Sequence, residues 1–239
     1  MLMHAKKLGV LGGMGPKATS LFFEKLVSYT VANSDQDHID TVILNHASLP
    51  DRTEVILQGD PHPFLSAVQK DFELFEQAGV DHIAIPCNTS HHFYEKMQEM
   101  TKIPIIHMVD ETVKLLFQRN DPNSKVAILA TDGTIQTGIY ERVCLQYKLQ
   151  PYLPEEAIQK QIMSIIYRIK QGESVQKIEL EEIIQYLVEQ ENCKAIILGC
   201  TELSTLQLQK PLKVLTIDPL EVLVHQAIIR SGEQSKLSL

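Results

Sequence analysis

Short apolar runs rich in valine and isoleucine alternate along the chain with longer stretches in which apolar residues recur at helical spacing. In the first half, buried strands are expected at 8–11, 41–44, 82–85 and 103–107, with helices over 18–31, 63–78 and 90–100. In the second half, strands are expected at 126–129, 195–198 and 214–217, with helices across 135–146, 155–171 and 180–190. A run that is apolar throughout suits a strand covered on both faces, and the intervening helices supply that cover. The expected fold class is α/β, with mainly parallel sheets flanked by helices. Residues 231–239 follow neither period and read as a loose tail.

The two halves repeat each other. Lys7-Leu-Gly-Val-Leu-Gly-Gly-Met-Gly15 can be laid on Lys125-Val-Ala-Ile-Leu-Ala-Thr-Asp-Gly133, and Ile83-Ala-Ile-Pro-Cys87 on Ile196-Ile-Leu-Gly-Cys200. Ile105-Ile-His-Met-Val-Asp110 answers Val214-Leu-Thr-Ile-Asp218. Three matches in the same order imply two similar, pseudo-symmetric domains, with the active site in the cleft between them. The expected boundaries are 1–112 plus 221–239 for the first domain and 113–220 for the second, the last helix packing back on the first.

Composition narrows the partners. A net charge of −8 argues against a general nucleic-acid or anionic-membrane binder, which needs a basic surface. No apolar run approaches the ~18 residues that span a bilayer. The glycines at 12, 13 and 15 interrupt the only stretch resembling a secretion signal, so a cytoplasmic protein is expected. Cysteines at 87, 144, 193 and 200 show no disulfide framework, and a reducing compartment would keep them as thiols.

Chemistry is expected beyond the carboxyl ends of the parallel strands, where loops lead into helices. Cys87 and Cys200 both stand there, at matched points of the repeat, beside helix starts that would favour the thiolate. Asn88, Thr89, Ser90 and Thr201 add short polar groups able to bind a carboxylate or cap those helices. Met14, Thr131 and Thr134 line the loops after the first strand of each half. A mirrored pair of thiols suits inversion of a stereocentre: one thiolate removes the α-proton and the opposite thiol returns one. Cys144 and Cys193 lack that symmetry and read as buried packing groups. Gly13-Met-Gly15-Pro-Lys-Ala18 fits a loose dinucleotide pattern, but Pro16 removes a donor where phosphate would dock. His91, His92 and Glu95 form the one dense metal-like cluster, yet adjacent helical residues diverge, so no metal is expected. His91 is expected near Cys87. Glu202 either orients Thr201 or the thiol, or is a helix N-terminal carboxylate. A module that binds an amino acid without turning it over would use the same framework.

These motifs carry a family resemblance. Gly12-Gly-Met-Gly-Pro16 with Ala18-Thr19, Pro86-Cys-Asn-Thr89 with His91, and Leu198-Gly-Cys-Thr-Glu202 resemble the aspartate/glutamate racemase superfamily over essentially the whole chain. They are most similar to its aspartate racemase branch; the glutamate branch typically has His where this chain has Glu202. The resemblance implies interconversion of L- and D-aspartate with no cofactor and no metal, by a homodimer acting on a small acidic amino acid. Glutamate or broader racemisation is the alternative. Two carboxylates must then be held. Arg52, after the second strand, is the best placed arginine for a bidentate contact. Lys170, in Tyr167-Arg-Ile-Lys-Gln-Gly172, is assigned to the substrate by the resemblance alone.

Overall fold

The computed structural model describes residues 6–237; residues 1–5 and 238–239, the outer ends of the expected first domain and tail, lie outside them. The chain divides into two compact units, Met1–Met108 with Leu220–Leu239, and Val109–Pro219.

The first unit begins β1 (Leu8–Gly12), α1 (Pro16–Tyr29), β2 (Thr41–Asn45), α2 (Arg52–Gln58), α3 (His62–Gln77), β3 (His82–Ala84) and α4 (Tyr94–Glu99). The sheet order is β2-β1-β3, all parallel, with Leu8 opposite both Thr41 and His82. β1 is buried along its whole length, so its alternating side chains serve two cores. Leu11 joins Phe64, Val68, Phe72 and Ile83 on the α3 side. Leu8 and Val10 join Phe22 and Leu26 of α1 on the other side. Pro16 presets the first turn of α1, and Ala18, Phe22 and Leu26 recur every four residues as its buried stripe. The short helix α2 escapes the periodicity because it has only seven residues. Its signals are at its ends: Asp51 accepts from the N–H groups of Thr53 and Glu54, and Gly59 closes it at φ 72°.

The second unit runs α5 (Met108–Arg119), β4 (Lys125–Leu129), α6 (Asp132–Thr137), α7 (Ile139–Gln146), β5 (Gln150–Tyr152), α8 (Glu156–Lys170), α9 (Lys177–Glu189), β6 (Ala195–Leu198), α10 (Lys210–Lys213) and β7 (Thr216–Ile217). Its parallel sheet has the order β5-β4-β6-β7, with Val126 opposite Ala195 and Ile196 opposite Thr216. Ala127, Leu129 and Ile196 pack beneath Ile162, Ile166 and Ile184 of α8 and α9. The final helix α11 (Pro219–Arg230) covers Leu8 and Val10 of the first unit with Leu223, Val224 and Ala227. Lys25 of α1 bonds Glu221 at 2.8 Å across that contact.

Both sheets therefore share one strand order, with β1, β2 and β3 standing where β4, β5 and β6 stand. The fourth place differs. The strand expected at 103–107 is reduced to one parallel bridge between Ile83 and Ile105. Pro104 brings no N–H to extend that ladder, and α5 begins at Met108. Two expected helices are also divided. The stretch 90–100 is a 3₁₀ turn, Thr89–Phe93, followed by α4, while 135–146 breaks at Gly138, where φ is 60°. Within the described residues, the expected loose tail is ordered. Ser231 is buried and contacts His82, and Lys236 donates to the Tyr29 carbonyl at 2.7 Å.

Gly13 couples the first loop to the second. Its φ is +92°, and a Cβ there would lie 2.3 Å from the backbone carbon of His46. Gly13→Ala is expected to lower the unfolding free energy by about 2–4 kcal/mol, read by chemical denaturation. A loss under about 0.5 kcal/mol would show that the loop yields to the methyl group.

Candidate active site

Cys87 follows β3 in a tight turn in which its N–H reaches the Ile85 carbonyl at 2.8 Å. Its own carbonyl accepts from Ser90 Oγ and from His91 Nδ1, both at 2.8 Å. The backbone N–H of Met108 donates to His91 Nε2 at 3.2 Å. An amide can only donate, so Nε2 is the acceptor and the ring proton sits on Nδ1, facing Cys87. One neutral imidazole thus ties the cysteine turn to the start of α5. Burial, then the neighbouring His107, pushes His91 down to about 4. Burial also lowers His107 to about 4. Asn88 and Thr89 are buried immediately beyond the thiol. Met14 and Cys87 belong to one apolar cluster with Leu49 and Val55.

Leu49 and Val55 bracket Arg52, which is the first residue of α2 and is only 9% exposed. Its Nη1 donates to the Pro50 carbonyl at 2.9 Å. Its Nε is buried with no hydrogen-bond partner. A guanidinium held this way has part of its fork fixed by the protein and a donor still unmet, an arrangement suited to an anion.

In the second unit, Cys200 follows β6 and its thiol donates to Glu202 Oε2 at 2.9 Å. Both side chains are buried. Of the groups expected near Glu202, the thiol is the one its carboxylate contacts. Burial first, and then the Glu202 carboxylate, pushes the Cys200 thiol well above its ordinary value, against the opposing pull of Lys170. The expectation that a helix start favours the Cys200 thiolate is therefore overturned. The helix that follows is a 3₁₀ turn of three residues, Leu203–Thr205, too short to offset burial beside a carboxylate.

Thr131 caps α6, its hydroxyl accepting from the Thr134 N–H at 3.3 Å. Thr201 is buried beside Cys200. Lys170 ends α8, with its ammonium 5.3 Å from the Tyr167 ring centroid. Tyr140, which sequence reasoning missed, is fully buried, and a Cβ on Gly199 would stand 3.4 Å from its ring. Nothing in the sequence marks it beyond an aromatic residue on a short helix. Burial pushes Cys144 up to about 12 and Cys193 up to about 11, which leaves both as thiols. Among the described residues, no group of three His, Cys, Asp or Glu side chains is placed to hold a metal. The glycine-rich loop has internal uses: the Gly13 N–H donates to Thr19 Oγ1, and a Cβ on Gly12 would strike the Thr19 side chain.

Comparison with known proteins gives the family of the chain. The family described as Asp/Glu/Hydantoin racemase matches residues 11–227. The chain belongs to this racemase family and is an isomerase. It is 32% identical over 203 residues to the broad specificity amino-acid racemase RacX of Bacillus subtilis, covering 82% of this chain and 86% of that one. The Picrophilus torridus aspartate racemase structure superposes with a TM-score of 0.83 at 30% identity, covering 97% of this chain and 96% of that chain. Glutamate racemase from Francisella tularensis, solved with D-glutamate, shares the fold at a TM-score of 0.61 and 20% identity, over 99% of this chain and 86% of that chain. No described helix is long and apolar enough to cross a membrane.

His91 and His107, the two histidines lowered furthest, give this racemase a defined acid sensitivity. Folded, they stay neutral down to pH about 4, whereas an unfolded histidine takes its proton near 6.5. The unfolded state then binds more protons between those values, so stability falls as pH drops from 6.5 toward 4. His91→Asn is expected to be less stable at pH 7 but to lose less on acidification, measured as denaturation midpoints from pH 7 to 4.5. An unchanged slope would remove His91 from the proton balance.

Proposed function

We propose that this racemase interconverts L- and D-aspartate without a cofactor, Cys87 and Cys200 acting as base and acid on opposite faces of the α-carbon. The carrying observation is positional: each thiol follows the strand paired beside β1 or β4, in sheets of the same strand order. Equivalent placement supplies the chemically equivalent groups that a reversible inversion needs. One thiolate takes the α-proton, the electron pair stays on carbon, and the other thiol protonates the opposite face.

A dicarboxylate is favoured by Arg52, whose buried Nε supports a role in gripping a carboxylate, with Lys170 as the second cation. Backbone and side chains of Asn88, Thr89 and Thr201 would stabilise developing charge, and Met14 and Thr131 would line the site. Similarity to the P. torridus aspartate racemase supports aspartate as substrate. Similarity to the broad specificity racemase of B. subtilis favours a second reading, wider acceptance of amino acids. One methylene separates aspartate from glutamate, a difference worth only ~1–3 kcal/mol in a pocket. A cytoplasmic homodimer completes the proposal, and sedimentation of the purified protein tests its assembly.

The reading is tested by proton NMR of L-aspartate in deuterated water with a chelator and no added cofactor. Loss of the α-proton signal together with formation of D-aspartate is expected. Silence with aspartate, glutamate and other amino acids would overturn it in favour of a binding module. Cys87→Ala and Cys200→Ala should each lower turnover about 10³-fold or more with the fold retained by circular dichroism. Full activity in either variant removes that thiol from the reaction. Arg52→Lys, which loses the fork, should raise KM about tenfold, equivalent to ~1.4 kcal/mol.

A further inference from the structure

Glu202 is the carboxylate in direct contact with one of the two thiols, and its bond to that thiol is unequal in character. Sγ of Cys200 lies 2.9 Å from Oε2 and donates its proton to it. Cys200 is 6% exposed and Glu202 likewise 6%, so water does not compete for the contact. The turn beyond is fixed by Thr205, whose N–H and hydroxyl both bond the Glu202 carbonyl, at 3.1 and 2.7 Å. The backbone of Glu202 is thereby anchored while its carboxylate reaches back to sulfur.

We propose that Glu202 holds Cys200 as the thiol, so that Cys200 is the proton donor of the resting enzyme and Cys87 is the base that opens the reaction. This rests on the two-thiol reading above and adds an asymmetry to it. Losing its proton to the substrate carbanion would leave the Cys200 thiolate beside a carboxylate in a buried site. Two adjacent negative charges there are costly. The form with a Cys200 thiolate and a Cys87 thiol is therefore the minor free form, and it resets as Cys200 takes a proton from solvent and Cys87 releases one to solvent. Each step balances: the S–H bond of Cys200 breaks as C–H forms, and S–H on Cys87 forms as the original C–H breaks. Glu202 acts through the thiol it contacts, so its role is that of a positioning residue.

Other groups also bear on this sulfur: the backbone N–H of Glu202 bonds it and favours the thiolate, against burial and the Glu202 side chain. Lys170 at the end of α8 pulls toward the thiolate but is outweighed by burial and Glu202. Burial first, and then Cys144, Asp218 and Cys200, raise Tyr140 of α7 well above its ordinary value, so it stays protonated.

The test is the pH dependence of alkylation of each cysteine by iodoacetamide, followed by peptide mass spectrometry. In the unaltered enzyme Cys200 should become reactive only at strongly alkaline pH; a midpoint at or below that of an ordinary thiol would overturn the proposal. In Glu202→Gln, which keeps the shape and removes the charge, the Cys200 midpoint should fall by about one pH unit or more, a tenfold gain in thiolate at neutral pH. The alkaline limb of racemase activity should move down with it. Buried Cys144 is the internal control: its alkylation at neutral pH marks an unfolded variant, in which case the unaltered enzyme's profile decides the matter. An unmoved Cys200 midpoint in folded Glu202→Gln, with Cys200→Ala still inactive, sinks the role of Glu202 and leaves the two-thiol reaction standing. A shifted midpoint with Cys200→Ala fully active does the reverse.

Discussion

Parallel pairing is the constraint on which everything else in this protein depends. A parallel ladder cannot be closed by a tight turn, so every strand must be followed by a crossover, and each crossover here is helical. All strands of a sheet then end at one edge, and the segments leaving that edge are where chemistry is expected. Cys87 leaves it after β3 and Cys200 after β6. The strands are short because they need only set direction. What holds them is burial on both faces, as in β1, whose five residues are all enclosed.

The same rule explains how much was legible in the sequence. Runs such as Val126 to Leu129 and Ala195 to Leu198 are apolar because both faces are covered, and that pattern needs no knowledge of the partner. The repeat was readable for a related reason: Leu8 pairs with His82 and Val126 with Ala195, the alignment that the motifs around the two cysteines require. Elements governed by single residues were not readable. Pro104 cut the expected fourth strand to one bridge, and Gly138 divided an apparently continuous helix. β5 was missed because Gln150, Pro151 and Tyr152 sit on an edge and carry no apolar run.

At the site, residue types were legible but their electrical state was not. Position alone suggested that both thiols would lean toward the charged form. The side-chain carboxylate two residues beyond Cys200 reverses that for one of them, through a contact that depends on the turn and not on spacing. His91 shows the converse: its nearness to Cys87 was readable, but not that its ring bridges Cys87 to the backbone of Met108. Two thiols at equivalent points of matching sheets thus stand in different surroundings, one near a buried neutral imidazole and the other against a carboxylate.

The return of α11 to the first unit has a consequence for biogenesis. Residues 109–219 are contiguous, so that unit is complete in sequence while the chain is still being synthesised. Leu8, Val10 and Phe22 wait for Leu223, Val224 and Ala227, which are made only after the whole of that unit. That apolar sheet face therefore stays incompletely covered until α11 has been made.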